Sequence, residues 1–276
     1  MAIDYLVDLP CRVKEKLPFE RLVPLVKLKV SLDQIIKDLK KRGETIDKIK
    51  DIKIRIQLRN EKGLVEEREI KIEEALKITK ILEELKQFCR SCPLGYIPFG
   101  CYGVINYPIS ALAEKWIAEI AKNAAIEGGQ RTILLKTIVE DKVKGERVAL
   151  MRASKDTKFF ELKEPIEVIP GIINTNQIFE VLFGMGLRRF GKWYQWMILN
   201  FVDAITISKN TPEEKEKQRW FRWQFFIKNL VKETDVWIRF KLKEEVTDDK
   251  SIYQLKWYFR ALFTAFCLKK DIIIDW

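Results

Sequence analysis

The sequence predicts an α+β protein with a ferredoxin-like N-terminal βαββα unit, a Cys-rich loop, and a mainly helical C-terminal half with a few short strands. Two periodicities predict this class. Apolar residues that alternate with polar ones indicate strands, and apolar residues three and four apart indicate helices between them. Hydrophobic residues make up 47% of the 276 residues and charged residues 33%, the balance of a folded, soluble chain.

The first predicted elements lie between residues 26 and 43. The segment VKLKV at 26–30 alternates and predicts a short strand. Ser31-Leu-Asp-Gln34 has the pattern of a capping box, in which two side chains satisfy free N–H groups at a helix start. A helix is therefore expected from here, and Gly43 ends it because glycine readily adopts the left-handed conformation.

A hairpin and a second helix follow. DIKIRIQLR at 51–59 alternates strictly and predicts a strand, and NEKG at 60–63 predicts a turn into a second strand that ends in EIKI (69–72). Apolar residues at helical spacing then predict a second helix that continues to Phe88. The resulting order β-α-β-β-α suits a ferredoxin-like sandwich.

The next elements follow the Cys-rich loop at 89–109. Ser110 is expected to cap a helix. A hairpin is expected between RVALMRA (147–153) and KFFELKEPIEVI (158–169), with its turn at 154–156.

A soft domain boundary is predicted near residue 170. Residues 1–170 form the α+β domain with the Cys-rich loop, and residues 171–276 form an aromatic- and basic-rich helical region with edge strands. The second region can pack as one domain with the first. Seven of the eight tryptophans lie in it.

In residues 171–276, Thr211 with Pro212 predicts a helix start, and DVWIRFKLK (235–243) alternates as a strand does. Thr247 is expected to cap a long helix to about Leu268. DIIID (271–275) is expected to close the chain as a short strand.

Three of the five cysteines fall within thirteen residues of a chain that has no histidine. Cys89 and Cys92 have C-x-x-C spacing, which lets two thiolates reach one ion from a tight turn. Cys101 follows in the same loop. A fourth ligand cannot be histidine, so we predict Cys11, which follows Pro10 in a polar context. Cys267, in the apolar run ALFTAFCL, is expected to be a core residue.

Four thiolates suit either Zn²⁺ or a [4Fe-4S] cluster. Only one C-x-x-C pair is present, whereas zinc sites usually have two; a cysteine followed by proline, as at Cys92, occurs in some iron–sulfur motifs. A disulfide or dithiol, or unrelated cysteines, are the remaining alternatives. An odd number of cysteines argues against a pure disulfide framework.

The N-terminal residues lack the order of a secretory signal, which predicts a cytoplasmic protein. The charged residues are dominated by Lys and Glu, an enrichment reported for hyperthermophiles. Intracellular disulfides occur in such organisms, so this composition keeps the disulfide alternative open.

The net charge of +11 and two aromatic–basic segments suggest DNA or RNA as a partner. Cations bind phosphates, and aromatic rings stack on bases. The predicted contacts are Arg188, Arg189, Lys192 and Trp193 in LRRFGKWYQW, and Arg222 in KQRWFRWQFFIK. The alternative for the second segment is a buried helical stripe, and the alternative for the charge is a solvated Lys-rich surface.

Three functions are consistent with these features. The first is a nucleic-acid-associated protein in which a cysteine-bound metal has a structural role. The second is an iron–sulfur redox enzyme or electron carrier, and the third is a protein-interaction module in which the cysteine loop is a structural staple. The absence of histidine excludes Ser-His-Asp and Cys-His catalysis, and the chain has no Walker A motif. Whether the protein is an enzyme stays open.

Overall fold

The computed structural model describes residues 2–59, 65–90, 92, 94, 98–209 and 236–275. The chain divides into two compact units, each described by itself below. We call Leu9–Cys101 the cysteine unit, and Met1–Asp8 together with Tyr102–Trp276 the sheet unit. The boundary predicted near residue 170 falls inside the sheet unit.

The protein is mixed α+β, as predicted. In chain order the described helices and strands are β1 (Ala2–Val7), α1 (Arg12–Lys16), α2 (Phe19–Lys41), α3 (Ile46–Asp51), β2 (Lys53–Arg59), β3 (Val65–Lys71), α4 (Ile72–Leu85), β4 (Tyr102–Asn106), α5 (Ala111–Glu127), α6 (Ile133–Glu140), α7 (Glu146–Ala153), β5 (Glu167–Ile169), β6 (Ile173–Asn174), α8 (Thr175–Leu182), β7 (Arg189–Phe190), α9 (Lys192–Phe201), β8 (Ile205–Lys209), β9 (Val236–Phe240), α10 (Lys250–Cys267) and β10 (Ile272–Asp275).

A four-stranded antiparallel sheet organises the sheet unit, with strand order β4-β1-β10-β7. One face of β1 carries Ile3, Tyr5 and Val7, all buried. Helix α10 packs on this face, where the ring of Tyr258 lies 5.2 Å from the ring of Tyr5, edge to face. The closing strand predicted at 271–275 is confirmed as β10, at the centre of this sheet.

Two of the helix starts expected here come from local capping. Ser110 accepts a hydrogen bond from the Ala113 N–H at 3.0 Å, so the predicted start of α5 is confirmed. Helix α10 begins at Lys250 and not at Thr247, because the side chain of Asp249 accepts from the Ile252 N–H at 2.8 Å.

The strand predicted at 147–153 is wrong, since these residues lie in helix α7. Val148 and Leu150 alternate in sequence as strand residues do. In the helix, however, Val148 is fully buried and Leu150 points to solvent, 73% exposed. Two alternating residues are too short a signal to separate the two periods.

The cysteine unit packs helices α2 and α4 with the β2–β3 hairpin, which was predicted and is confirmed. Its core combines residues of these four elements and of α3: Leu32, Ile49, Ile56, Ile70, Ile72 and Ala75. Burial of these apolar side chains is the main favourable term for the unit.

The strand predicted at 26–30 is wrong, because helix α2 runs through it from Phe19 to Lys41. Leu22, Val23 and Val26 are buried at spacings of one and four residues, which is the helical pattern, and Val30 is exposed. The ferredoxin-like arrangement is not confirmed: β1 joins the four-stranded sheet, whereas β2 and β3 form a separate two-stranded sheet.

The described helices were also compared with the length and apolarity that a bilayer crossing needs. Across residues 2–59, 65–90, 92, 94, 98–209 and 236–275, no helix meets both requirements.

Candidate metal centre and basic aromatic surface

Three short backbone features position the cysteines of the cysteine unit. Cys11 directly precedes helix α1, in an extended conformation. Cys89 ends a short 3₁₀ helix that continues α4, and the Cys92 N–H donates to the Cys89 carbonyl at 3.0 Å. This hydrogen bond closes the C-x-x-C segment into a tight turn, as metal-binding pairs require. Cys101 is the last residue of the unit.

All four predicted ligands line one pocket with a cavity volume of about 20 Å³. Cys11 comes from the start of the unit and the other three from its end, so the unit's fold brings them together. The other described residues of the lining are apolar or glycine: Val13, Leu22, Phe88, Leu94, Phe99 and Gly100. Cys267 belongs to α10 in the sheet unit and does not line this pocket.

The apolar lining raises the pKa of two of the thiols, Cys92 and Cys101. Burial raises the pKa of Cys92, and the neighbouring cysteines raise it further. Cys101 is partly exposed as a residue, but removal of its thiol from water raises its pKa to about 12. Without a bound cation these thiols therefore stay protonated at neutral pH. A metal ion that binds here must displace their protons.

Lys14 supplies positive charge close to the pocket. Its ammonium group donates to the Leu9 carbonyl at 2.8 Å. Its charge lowers the pKa of both Cys92 and Cys101, against the larger effect of burial. Four thiolates around a divalent ion carry a net charge of −2, and Lys14 offsets part of it.

The loop between Cys92 and Cys101 contains a backbone conformation that is unusual for a bulky residue. Phe99 has a φ of 60°, in the left-handed region, and its ring is buried against the pocket. Such a conformation costs about 1–3 kcal/mol and persists where the surroundings fix it. Burial of the phenyl ring is the compensating contact at this turn.

The shared pocket is not a preformed coordination shell. Among the residues that the structure describes, no three cysteine, aspartate or glutamate side chains are already arranged to hold a metal ion. The four thiols line one pocket, and their sulfurs would have to move closer together to converge on one ion. Rotation about χ1 moves a cysteine sulfur between staggered positions without moving the backbone.

We define the basic aromatic surface as Arg188, Arg189, Lys192 and Trp193. Arg188 directly precedes β7, Arg189 is its first residue, and Lys192 and Trp193 begin α9. All four residues are exposed, and Trp193 is 58% exposed. Arg189 is engaged by two carboxylates, with N–O distances of 2.9 Å to Asp8 and 3.6 Å to Asp271. The predicted contact Arg222 lies outside the described residues.

Lys192 makes one contact that leaves its charge at the surface. Its ammonium group lies 5.6 Å from the centre of the Phe266 ring, a cation–π contact. Arg188 has its backbone carbonyl bonded to the Ile274 N–H at 3.0 Å, and its side chain is exposed. Arg188, Lys192 and Trp193 are therefore the members of this surface best placed to meet a partner.

A buried ion pair joins α5, α7 and α8 in the sheet unit. Arg152 and Glu114 have side chains 4% and 0% exposed, and the Arg152 Nη2 lies 2.6 Å from Oε1 of Glu114. Arg152 also donates to Asn176 Oδ1 and to the Leu162 carbonyl, and Thr175 donates to Glu114. All five N–H groups of the guanidinium are thus satisfied, which indicates a structural role.

A buried lysine in the same unit has an equally complete set of partners. Lys256 donates to both carboxylate oxygens of Asp248, at 2.8 and 2.9 Å, and to the Lys243 carbonyl at 2.8 Å. Neither buried cluster leaves an open position for a substrate.

Sequence reasoning missed the apolar part of the pocket. Leu22 and Phe99 line it, but neither carries a sequence signal that connects it with the cysteines. Comparison of the chain with family models, with curated proteins and with solved structures finds no match. The candidate roles of the cysteines and of the basic aromatic surface therefore rest on their own chemistry and placement.

Proposed function

We propose that the cysteine unit is a metal-binding domain in which Cys11, Cys89, Cys92 and Cys101 hold a metal with a structural role. The observation that carries the proposal is the shared pocket, which includes Cys11 from a distant part of the chain. Thiolates that converge in an apolar pocket are typical ligands of Zn²⁺ and of iron–sulfur clusters. A cytoplasmic location, where thiols stay reduced, fits this chemistry.

The metal would order the Cys-rich loop. Within it, residues 92–101 hold two glycines and two prolines, a composition that opposes regular secondary structure, whereas Tyr102–Asn106 form strand β4. A metal that bridges Cys11 to this loop would tie the loop to helix α1. Because the unfolded chain has no such site, the binding free energy would add to the stability of the unit.

A chelator experiment tests this role. Thermal unfolding of the full chain, followed by circular dichroism, is measured with and without a strong chelator. Wild-type protein and Cys267→Ser should each lose stability with the chelator, whereas Cys92→Ser should begin less stable and respond much less. Equal responses of the two serine variants would contradict the proposal.

We further propose that the protein associates with DNA or RNA through the basic aromatic surface. The exposed cations of Arg188 and Lys192 lie within five residues of the exposed indole of Trp193, and the chain carries a net charge of +11. Cations on a surface bind phosphates with release of counterions, which makes binding depend steeply on salt. The Lys- and Glu-rich composition also fits a thermophilic source, in which part of the charge serves the surface alone.

Binding to labelled oligonucleotides over a range of salt concentrations tests this association. The slope of log K against log salt should fall by about 1.4–1.8 in an Arg188→Ala, Lys192→Ala variant, since each phosphate contact contributes about 0.7–0.9. A matched control is Lys40→Ala, Lys41→Ala at the end of α2, where both lysines are exposed. Absence of binding by the wild type at low salt would overturn the association.

A further inference from the structure

The cysteine pocket provides room for a single ion. Its cavity volume is about 20 Å³, and a cavity of about 10–15 Å³ is needed to hold one water molecule. A [4Fe-4S] cluster has eight atoms, and each of its four sulfides is larger than a water molecule. The pocket therefore matches one ion in size, and a cluster would need a larger space.

Part of the pocket wall is packed in the core of the unit. Val13 and Leu22 are each 2% exposed, and Leu94 is also buried. Side chains in such cores pack at the density of organic crystals, so outward displacement loses contacts on several sides. The buried side chains of the wall therefore oppose enlargement of the cavity on their side.

Among the residues that the structure describes, the side chains that line the pocket besides the four cysteines are apolar, and Gly100 has none. The backbone N–H of Leu94 is hydrogen-bonded to the Cys92 thiol. Such a bond favours the thiolate form that a bound cation requires.

The donor set points to the identity of the ion. Cysteine is the only ligating residue type among the described residues of the lining, and the chain contains no histidine. Thiolate ligands select soft metal ions, and four of them in tetrahedral geometry are a standard structural zinc site, with Zn–S distances of about 2.3 Å. Four protein ligands leave no position for water or substrate.

We propose that the pocket binds one Zn²⁺ through Cys11, Cys89, Cys92 and Cys101, as a closed four-thiolate site and not as a [4Fe-4S] cluster. The proposal rests on the proposed function and specifies its metal. A closed site supplies no Lewis acid and no redox couple, so this unit would hold structure and would not carry out catalysis.

The first test measures zinc, iron and acid-labile sulfide in full-length protein purified without oxygen. One zinc per chain with no iron or sulfide is the expected result. Iron and sulfide in equal amounts would overturn the single-ion proposal and leave the metal-binding function intact. No metal, together with four reactive thiols or with a disulfide, would overturn both.

The number of thiolates is tested with cadmium, which replaces zinc and reports its ligands. In wild-type protein loaded with ¹¹³Cd²⁺, one NMR signal in the range of four-thiolate sites is expected. A shift in the range of sites with mixed sulfur and oxygen ligands would overturn the four-thiolate assignment. This measurement needs no substitution, so it remains decisive if the cysteine variants fail to fold.

The ligand assignment is then tested by substitution. The thiolate-to-cadmium absorption should fall by about a quarter in Cys11→Ser and stay unchanged in Cys267→Ser. An unchanged band in a folded Cys11→Ser variant would show that Cys11 is not a ligand.

Discussion

The buried ion pair of the sheet unit gives a prediction whose magnitude follows from the structure. In Arg152→Met, the Glu114 carboxylate stays fully buried but loses both guanidinium hydrogen bonds, and Thr175 is its remaining partner among those described above. The Leu162 carbonyl and Asn176 Oδ1 lose their donors as well. The variant thus leaves an uncompensated charge and two under-satisfied acceptors in the core.

The expected cost is about 3–5 kcal/mol of unfolding free energy, the range for a buried ion pair that loses one partner. Arg152 also stacks over the Phe160 ring at 4.3 Å, and loss of this contact acts in the same direction. At about 2–4 °C per kcal/mol for a chain of this size, the melting temperature should fall by about 6–20 °C.

A double-variant cycle separates the charge from the packing. Glu114→Met, Arg152→Met removes both charges, so its destabilisation should be smaller than the sum of the two single variants by about 2–3 kcal/mol. Equilibrium urea unfolding measures all three. The exposed pair Lys77–Glu73, with an N–O distance of 2.8 Å, is the control, and Lys77→Met should leave stability unchanged. Single variants within 1 kcal/mol of the wild type, or strictly additive effects, would refute the reasoning.

Three further predictions concern other sites. Burial raises the pKa of Tyr194 and of Tyr258 above the ordinary value of 10.0, so these hydroxyls lose their protons at lower pH in the unfolded chain than in the folded one. The free energy of unfolding should therefore stay constant below about pH 9 and fall above pH 10 by up to about 1.4 kcal/mol per pH unit for each tyrosine. A urea midpoint that does not change between pH 9 and pH 11 would contradict this. Trp193→Leu should weaken the binding of single-stranded oligonucleotides about 5- to 150-fold, because an exposed indole stacks on unpaired bases. Binding of duplex oligonucleotides should be nearly unchanged. An equal loss of affinity for both would count against stacking. Burial raises the pKa of Cys267 to about 12, which leaves little of its thiol in the reactive thiolate form. Its alkylation at pH 8, measured by mass spectrometry, should therefore be roughly 50-fold slower in the folded protein than in the urea-unfolded chain. Equal rates would show that the thiol is exposed to water.

Elements with a local signal could be predicted from the sequence. The hairpin β2–β3 alternates over a full strand length, and Ser110 marks the start of α5 by its own hydrogen bond. The strands predicted from the short alternations at 26–30 and 147–153 are helical in the structure. Two or three apolar residues are too few to separate the two-residue period of a strand from the 3.6-residue period of a helix.

Strand β1 escaped prediction for a different reason. Asp4 and Leu6 are buried, as are Ile3 and Tyr5, so both faces are covered and no polar–apolar alternation remains. Its partners β4 and β10 lie far away in the sequence, and their pairing with β1 is long-range.

The cysteine site also combines features that the sequence predicts with features that depend on long-range packing. Spacing predicts Cys89, Cys92 and Cys101 as a group, and the absence of histidine leads to Cys11 by elimination. The size of the pocket is set by side chains such as Leu22, from helix α2, and their packing is not encoded in any local pattern.

The central claim is that the four cysteines of the cysteine unit bind a metal. The most direct measurement is the metal-to-protein ratio, by elemental analysis, of the full chain purified without oxygen or chelator. One zinc per chain in the wild type and in Cys267→Ser, with little or none in a folded Cys92→Ser variant, is the predicted result. Wild-type protein without metal, or the same metal content in all three proteins, would contradict the claim.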